Sequence, residues 1–300
     1  MEALLQWGLD LILAIQQVHG PALDSIFLAI TSLGAEEFYL LLVPLIFWCV
    51  DFGFGARMAV LFLLSSYLNF YLKDLFQQPR PFDLDPSVQL APVGGYGLPS
   101  GHAQSAVVVW GVIAAWARQR WFWGVAIGLM ALIGFSRIYL GLHFPTDVLG
   151  GWMIGGLLLG LYVMTHSRVT ELLAEAGLGW QLVLALGLPL VLLVIHPVKD
   201  TTMTTGALAG AGVGLVLSHR YVSFSARGPL RHRVLRFVIG AVVVVLLYAG
   251  LKTAFPGEES SLYLVFRFLR FGLVGLWASL GAPWLFKILR LAPSAENAMV

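Results

Sequence analysis

Long apolar runs dominate this 300-residue chain, and they constrain its fold more than any other feature. Charged residues make up only 11% of the sequence, and the mean hydropathy is +0.84. Runs of this kind suit a lipid bilayer, where every backbone N–H and C=O must be paired within the protein. They lack the apolar–polar alternation of transmembrane barrel strands. The sequence therefore predicts an all-α fold, a polytopic membrane helical bundle.

About nine of these runs are candidate transmembrane helices, although several fall short of the ~20 residues that a span usually needs. They lie at residues 36–51, 56–73, 101–117, 121–139, 147–165, 180–196, 203–218, 234–252 and 262–285. Two helices precede them, at residues 2–18 and 22–33. The first carries a polar stripe and the second is short and interrupted by polar residues, so we expect both to lie in the membrane interface. A true span at 22–33 is the alternative.

Charge sets the expected orientation, because cytoplasmic loops of membrane proteins are enriched in Lys and Arg. Alternate connections of this chain hold basic residues, which places the N-terminus outside and the C-terminus in the cytoplasm. These residues are Arg57, Arg118, Arg120, Arg168, Arg220, Arg227, Arg231, Arg233, Arg236, Lys287 and Arg290. Since Arg57 is the first basic residue, we expect no cleavable signal peptide. Cys49 is the only cysteine, so no internal disulfide or cysteine-based metal site is expected.

Three polar clusters fall at predicted helix ends on the outer side of the membrane. They hold Lys73 and Arg80; Ser100, Gly101 and His102; and Arg137, His143 and Asp147. Each cluster alone has an ordinary explanation, such as a snorkelling lysine, a helix cap or a structural histidine. Polar groups near lipid are costly, and they persist when they pair or do chemistry. Together the clusters supply three cations, a helix N-terminus, two histidines and a carboxylate, a set that can bind and attack a phosphate.

The spacing of these residues is specific. The motifs K-x6-R-P from Lys73, P-S-G-H from Pro99 and S-R-x5-H-x3-D from Ser136 resemble the three-part signature of the type-2 phosphatidic acid phosphatase family. This family also contains the glucose-6-phosphatases and the vanadium haloperoxidases. The resemblance covers roughly residues 36–165, which makes that segment the candidate phosphatase core. Residues 1–35 are then interfacial N-terminal helices, and residues 166–300 are additional transmembrane helices with a cytoplasmic tail.

Five of the motif residues are expected to bind the substrate phosphate. Phosphoryl transfer depends on positioning and on stabilising charge on the equatorial oxygens. Cationic side chains supply that charge, and an arginine fork can grip two oxygens. A hydroxyl and a backbone N–H at the start of a helix add donors where the helix dipole favours an anion. The residues concerned are Lys73, Arg80, Arg137, Ser100 and Gly101.

Three further residues are expected to be catalytic. His143 is the candidate nucleophile, since a neutral imidazole can attack phosphorus and form a phosphohistidine. Asp147, one helical turn further on, can hold the proton on one ring nitrogen and leave the other free. His102 is then the general acid, and later the base that activates water. The resemblance implies the same roles, whereas an ion pair from Asp147 to Arg137 is the structural alternative.

No metal or other cofactor is expected. A binuclear metal site needs several converging carboxylates or histidines, and outside the motifs the outer face offers only scattered acids.

The last predicted span carries Arg267 and Arg270, and a buried arginine is costly in a membrane unless it is paired. Asp200, Glu258 and Glu259 on the same side are possible partners. Either the two arginines line a pocket for the substrate headgroup, or they form a purely structural ion pair.

The expected function is hydrolysis of a lipid phosphate or lipid pyrophosphate at the outer membrane face. The expected partners are that lipid and the bilayer, with no nucleic acid. Arginine-rich composition and short loops favour a bacterial plasma membrane. A phosphatase of a soluble phosphoester, such as a sugar phosphate, is the alternative enzyme, with loop 82–98 as a polar vestibule. A non-catalytic phospholipid transporter is the alternative from another class, although it would need no nucleophile.

Overall fold

The structure is a computed structural model and describes residues 2–292. Every regular element within these residues is helical, so the predicted all-α class is confirmed. The helices are α1 (Glu2–Gln16), α2 (Pro21–Ser32), α3 (Glu36–Cys49), α4 (Phe52–Phe76), α5 (Pro81–Leu84), α6 (Gly101–Ala117), α7 (Arg120–Tyr139), α8 (Pro145–Glu175), α9 (Leu178–Ile195), α10 (Lys199–Leu217), α11 (Leu230–Ala254), α12 (Tyr263–Leu276) and α13 (Ala282–Ile288). A 3₁₀ turn (Pro86–Val88) and two π turns (Ser218–Val222 and Trp277–Gly281) complete the set.

Seven helical segments within residues 2–292 are long and apolar enough to cross a membrane. An eighth span results if α2 and α3, which are bent by 44° at their break, cross together. All nine predicted spans lie in helices, but α3 and α6 have only 14 and 17 residues. The multi-pass membrane bundle is therefore confirmed, whereas the number nine and the orientation stay predictions.

The helices form two compact units. The first contains the described residues up to Tyr39 together with Leu68–Met164, and the second contains Leu40–Tyr67 with the described residues from Thr165 onward. This partition differs from the three predicted segments, because it joins the N-terminal helices to residues of the candidate core. The three-segment division and the interfacial position of the first two helices stay predictions.

The first unit places the ends of α6, α7 and α8 around one loop, residues 140–144. Gly141 ends α7 with a φ of +67°, a conformation that glycine adopts without strain. Pro145 then begins α8, as expected for a residue that lacks an N–H and has a preset φ. An apolar cluster, Leu5, Leu9, Ile12, Val88 and Phe144, packs α1 against this loop.

The second unit is held by aromatic packing and by hydrogen bonds to backbone carbonyls. Trp48 is fully buried, and its indole N–H donates to the carbonyl of Ala278 at 2.9 Å. The Tyr67 hydroxyl donates to the carbonyl of Leu192 at 2.7 Å. Such contacts satisfy the polar ends of large side chains that would otherwise be costly to bury.

Candidate active site

The eight predicted motif residues all lie in the first unit, at the ends of its helices. Lys73 is in the last turn of α4, Arg80 precedes α5, Ser100, Gly101 and His102 open α6, Arg137 is in the last turn of α7, His143 is in the loop before α8, and Asp147 is in the first turn of α8. Direct contacts join the three motifs, and these contacts define the site.

The pair His143 and Asp147 forms the centre of the site. Nδ1 of His143 lies 3.2 Å from Oδ2 of Asp147, and both side chains are buried. The same carboxylate oxygen accepts the backbone N–H of Phe144 at 3.0 Å, and the other oxygen accepts from the Gln78 side chain. The expected i,i+4 contact is therefore present, and the Asp147 carboxylate contacts three groups: the His143 ring, the Phe144 N–H and the Gln78 amide.

The neighbours of His143 assign its tautomer. Nη1 of Arg80 lies 3.2 Å from Nε2 of His143. A guanidinium can only donate hydrogen bonds, so Nε2 must carry the lone pair and Nδ1 the proton. The proton faces Asp147, and the lone pair of Nε2 is the one that a nucleophile needs.

Arg80 is also tied to the backbone around it. Its guanidinium donates to the carbonyls of Leu142, Gly94 and Gly95 at 2.8, 2.8 and 2.6 Å. Lys73 donates to the carbonyl of Tyr96 at 2.8 Å. Carbonyls of residues 94–96 thus bind two of the three predicted phosphate-binding cations.

Unpartnered donors lie beside the second histidine. Nη1 of Arg137 donates to the Thr31 hydroxyl at 2.9 Å and lies 3.5 Å from Nε2 of His102. Within the described chain, Nε of Arg137 and the Ser100 hydroxyl are buried without a hydrogen-bond partner. Ser100 occupies the N-cap position of α6 but makes no side-chain capping bond. Buried donors without partners cost stability, and an anion in this position would satisfy them.

Two backbone-linked contacts connect the second motif to the rest. The N–H of Ser100 donates to the carbonyl of Asp147 at 2.9 Å, which joins the start of α6 to the start of α8. The side-chain amide of Asn69, one turn before Lys73, donates to the carbonyl of Pro99 at 3.3 Å. The three motifs therefore share one hydrogen-bonded network.

The electrostatics favour a neutral His143. Burial is the largest cause, followed by the nearby cations Lys73, Arg80 and Arg137, and together they hold the pKa of His143 well below its usual value. The unprotonated imidazole is the form that can attack phosphorus.

No group of three or more His, Cys, Asp or Glu side chains in residues 2–292 is arranged to hold a metal ion. That the reaction needs no metal stays a prediction.

Family models match two regions of the chain. The PAP2 superfamily model matches residues 54–171, and the model described as PAP2 superfamily phosphatase, transmembrane extension, matches residues 202–294. Phosphatidylglycerophosphatase B of Bacillus subtilis is 34% identical over 157 residues, covering 48% of this chain and 75% of that protein. The chain belongs to the PAP2 superfamily. The family predicted from the motifs is confirmed, and with it the class of membrane phosphatase.

Other PAP2 relatives extend the similarity beyond the core. Sphingosine-1-phosphate phosphatase 2 of Mus musculus is 25% identical over 307 residues, covering 87% of this chain and 86% of that protein. The chain is also similar to the solved structure of the transmembrane PAP2-type phosphatidylglycerolphosphate phosphatase from Bacillus subtilis. The match covers 56% of this chain and 89% of the chain in that structure, with a TM-score of 0.51 and 29% sequence identity.

Several residues of the PAP2 site were not predicted from the sequence. Gln78 contacts Asp147 although it lies in the unspecified gap of the first motif. Thr31 contacts Arg137 although it lies in a short N-terminal apolar run. Asn69 contacts Gln104 and the carbonyl of Pro99 at 3.3 Å. Thr31 and Asn69 are polar residues within apolar stretches, which is the only signal that the sequence carried for them, and Gln78 lies in a polar segment that gives no such signal.

The predicted headgroup arginines lie in the second unit. Arg267 is 9% exposed; it donates to the Lys199 carbonyl at 2.7 Å and the Tyr263 hydroxyl at 2.9 Å, and it lies 3.8 Å from Asp200. Arg270 lies over the rings of Tyr248 and Phe271, and its Nε has no partner within residues 2–292. The contacts of Arg267 are those of the structural ion-pair alternative, and the headgroup pocket stays a proposal.

The substitution Arg267→Gln separates these two roles. If the arginine lines a headgroup pocket, the ratio of turnover between two lipid phosphates with different headgroups should change several-fold at unchanged thermal stability. The measurement is kcat/KM on both lipids together with the melting temperature. A lower melting temperature with an unchanged ratio would assign Arg267 to structure alone, because the Lys199 carbonyl and the Tyr263 hydroxyl would lose the guanidinium that donates to them.

The environment of His143 leads to a prediction about pH. Because its pKa is depressed, the neutral form should persist as the pH falls through about 6.5, where an ordinary histidine becomes protonated. We expect its ¹⁵N imidazole resonances in detergent micelles to show the neutral, Nδ1-protonated form at about pH 6. Their absence from spectra of a His143→Asn variant provides the assignment. A titration midpoint of His143 near the ordinary histidine pKa of about 6.5 would contradict a depressed pKa.

Proposed function

We propose that this PAP2 protein hydrolyses a lipid phosphate monoester through a phosphohistidine on His143, without a metal. One observation carries the proposal. The His143 imidazole is fixed with Nδ1–H on Asp147 and with the lone pair of Nε2 facing Arg80, one of the proposed phosphate-binding cations. A site that only bound phosphate would need the cations but not an oriented imidazole.

In the first step, Nε2 of His143 attacks phosphorus and the bond from phosphorus to the lipid oxygen breaks. Lys73 and Arg137 stabilise the charge on the equatorial oxygens, and Arg80 exchanges its contact with Nε2 for a phosphate oxygen. His102, in its protonated form when the phosphate is bound, donates one proton to the leaving oxygen, so the lipid alcohol departs neutral and His102 is left as a neutral imidazole.

In the second step, His102 accepts a proton from water and the oxygen attacks the phosphohistidine. The bond between Nε2 and phosphorus breaks, and inorganic phosphate leaves. Asp147 stabilises the positive charge that His143 carries while phosphorylated, since its carboxylate remains on Nδ1–H.

A lipid substrate suits a site at the ends of membrane helices, because the headgroup can enter while the chains stay in the bilayer. The relatives named for sphingosine 1-phosphate and phosphatidylglycerophosphate support a phosphomonoester on a lipid. A lipid pyrophosphate presents the same terminal group and is the second candidate. The soluble sugar phosphate and the non-catalytic transporter remain as alternatives to be tested.

The deciding experiment measures phosphate release by the purified full chain in detergent with EDTA. The substrates are sphingosine 1-phosphate, phosphatidate, phosphatidylglycerophosphate, undecaprenyl pyrophosphate and glucose 6-phosphate. We expect metal-independent release from a lipid monoester and little from glucose 6-phosphate. Dependence on added divalent metal would contradict the proposal, and binding of lipid without release would favour the transporter.

We further propose that the site faces the exterior of a bacterial plasma membrane. Cysteine labelling tests this, because the single native Cys49 is buried. A maleimide that cannot cross membranes should label Gln89→Cys in intact spheroplasts and Arg231→Cys only after permeabilisation. The reverse pattern would place the site in the cytoplasm.

A further inference from the structure

The N-terminal helix α2 reaches the active site. We propose that Thr31 is a positioning residue that holds Arg137 for phosphate binding, and that α2 is thereby part of the catalytic unit. This inference rests on the proposed function, because it assigns Arg137 to the substrate phosphate. Thr31 lies outside the residues 54–171 that the family model matches.

The contact itself is direct. Nη1 of Arg137 donates to the Thr31 hydroxyl oxygen at 2.9 Å, across 106 residues of sequence. Thr31 is the buried residue of α2, while its neighbour Ser32 is exposed and bonds to the carbonyl of Ala29 within the helix. Adjacent hydroxyls on one helix thus have different environments, and only one of them touches the site.

The geometry assigns a function to each edge of the guanidinium. A guanidinium grips an oxyanion best with two parallel N–H groups on one edge. Thr31 binds Nη1, whereas Nε is buried without a partner in the described chain. Anchoring Nη1 therefore leaves the Nε edge available for the phosphate, and the Ser100 hydroxyl is a second buried donor without a partner in the described chain.

The N-terminal helices are fixed to the segment that carries Arg137, so Thr31 cannot move freely. The Gln16 side chain on α1 donates to the carbonyls of Val88 and Tyr139, both at 2.8 Å. The Tyr139 hydroxyl donates to Asp24 on α2, and its ring stacks on Phe27 with centroids 4.1 Å apart. The contacts of Tyr139 lie two residues from Arg137 and hold α2 in register with it.

A second contact brings the same segment to His102. A Cβ on Gly34, just after α2, would lie 2.5 Å from the Ile133 side chain and 3.2 Å from Cδ2 of His102. A side chain here would clash with Ile133 and crowd the imidazole. The turn after α2 therefore borders the general acid, while Thr31 borders the phosphate-binding arginine.

The test compares Thr31→Val, which removes the hydroxyl at nearly constant shape, with Thr31→Ser, which keeps it. Ser32→Ala is the matched control on the next residue. In the purified full chain we expect Thr31→Val to weaken orthovanadate binding and to raise KM about tenfold, with a smaller change in kcat. Thr31→Ser and Ser32→Ala should stay within about twofold of the unsubstituted protein.

Two further arms separate positioning from folding. In an Arg137→Lys background, Thr31→Val should cause little further change in orthovanadate affinity or KM, because the guanidinium that Thr31 positions is gone. Orthovanadate binding, measured by thermal shift, does not depend on turnover and thus tests Thr31 even if the His143 mechanism fails. Unchanged binding in Thr31→Val would overturn the inference. Weaker orthovanadate binding in both Thr31→Val and Thr31→Ser would also overturn it. So would weaker binding that is fully explained by a lower melting temperature of the variant.

Discussion

The His143→Asn variant is expected to lose lipid phosphatase activity by at least about 10³-fold. Asparagine keeps a polar group in the buried position but has no nitrogen that can attack phosphorus. The measurement is phosphate release from the best lipid substrate, with single-turnover labelling from a ³²P-labelled lipid. The unsubstituted protein should trap a label that survives base and is lost in acid, as a phosphohistidine does, and the variant should trap none.

The exposed residue His219 provides the matched control. A His219→Asn variant should retain full activity and labelling, since this residue lies in a π turn of the second unit. Activity of His143→Asn within about tenfold of the unsubstituted protein would refute the histidine nucleophile. Direct attack of water would then be the simplest mechanism.

The Asp147→Asn variant is expected to lower kcat by about 10² to 10⁴-fold with little change in KM. The carboxylate can only accept from Nδ1–H of His143, whereas an asparagine amide can also donate. With a donor facing Nδ1, the imidazole proton moves to Nε2, and the attacking nitrogen loses its lone pair. Folding should be preserved because the two side chains have nearly the same shape.

The control for this variant is Asp10→Asn, an exposed carboxylate of α1 that bonds to Gln6 at 2.9 Å. It should leave kcat and KM unchanged. A raised KM with normal kcat in Asp147→Asn would be inconsistent with an orienting role. That result would favour the alternative in which Asp147 forms a structural ion pair with Arg137.

Much of the site was predictable because its key contacts are local or repeat along helices. His143 and Asp147 are four residues apart, and the start of a helix at Pro145 brings them together wherever that helix lies. Helical spacing also put the three motifs at helix ends, since an apolar run must stop where the polar residues begin. The all-α membrane fold followed from the same runs.

The supporting contacts were not predictable because they join residues far apart in the chain. Gln78 meets Asp147 across 69 residues, and Thr31 meets Arg137 across 106. No periodicity of a single helix encodes a contact between two helices. The sequence marked Thr31 only as a polar residue in an apolar run and did not distinguish Gln78 from its polar neighbours. The interfacial prediction for α2 did not anticipate a link to the site.

Local chemistry thus specified the helices, their membrane character and the residue types of the candidate site, because each depends on a few neighbouring side chains. Only the tertiary packing determined which side chains bind Asp147 and Arg137. It also determined which buried donors in the described chain have no hydrogen-bond partner. These features depend on where separate helices meet. That arrangement is set by the summed burial of many side chains and not by any short motif.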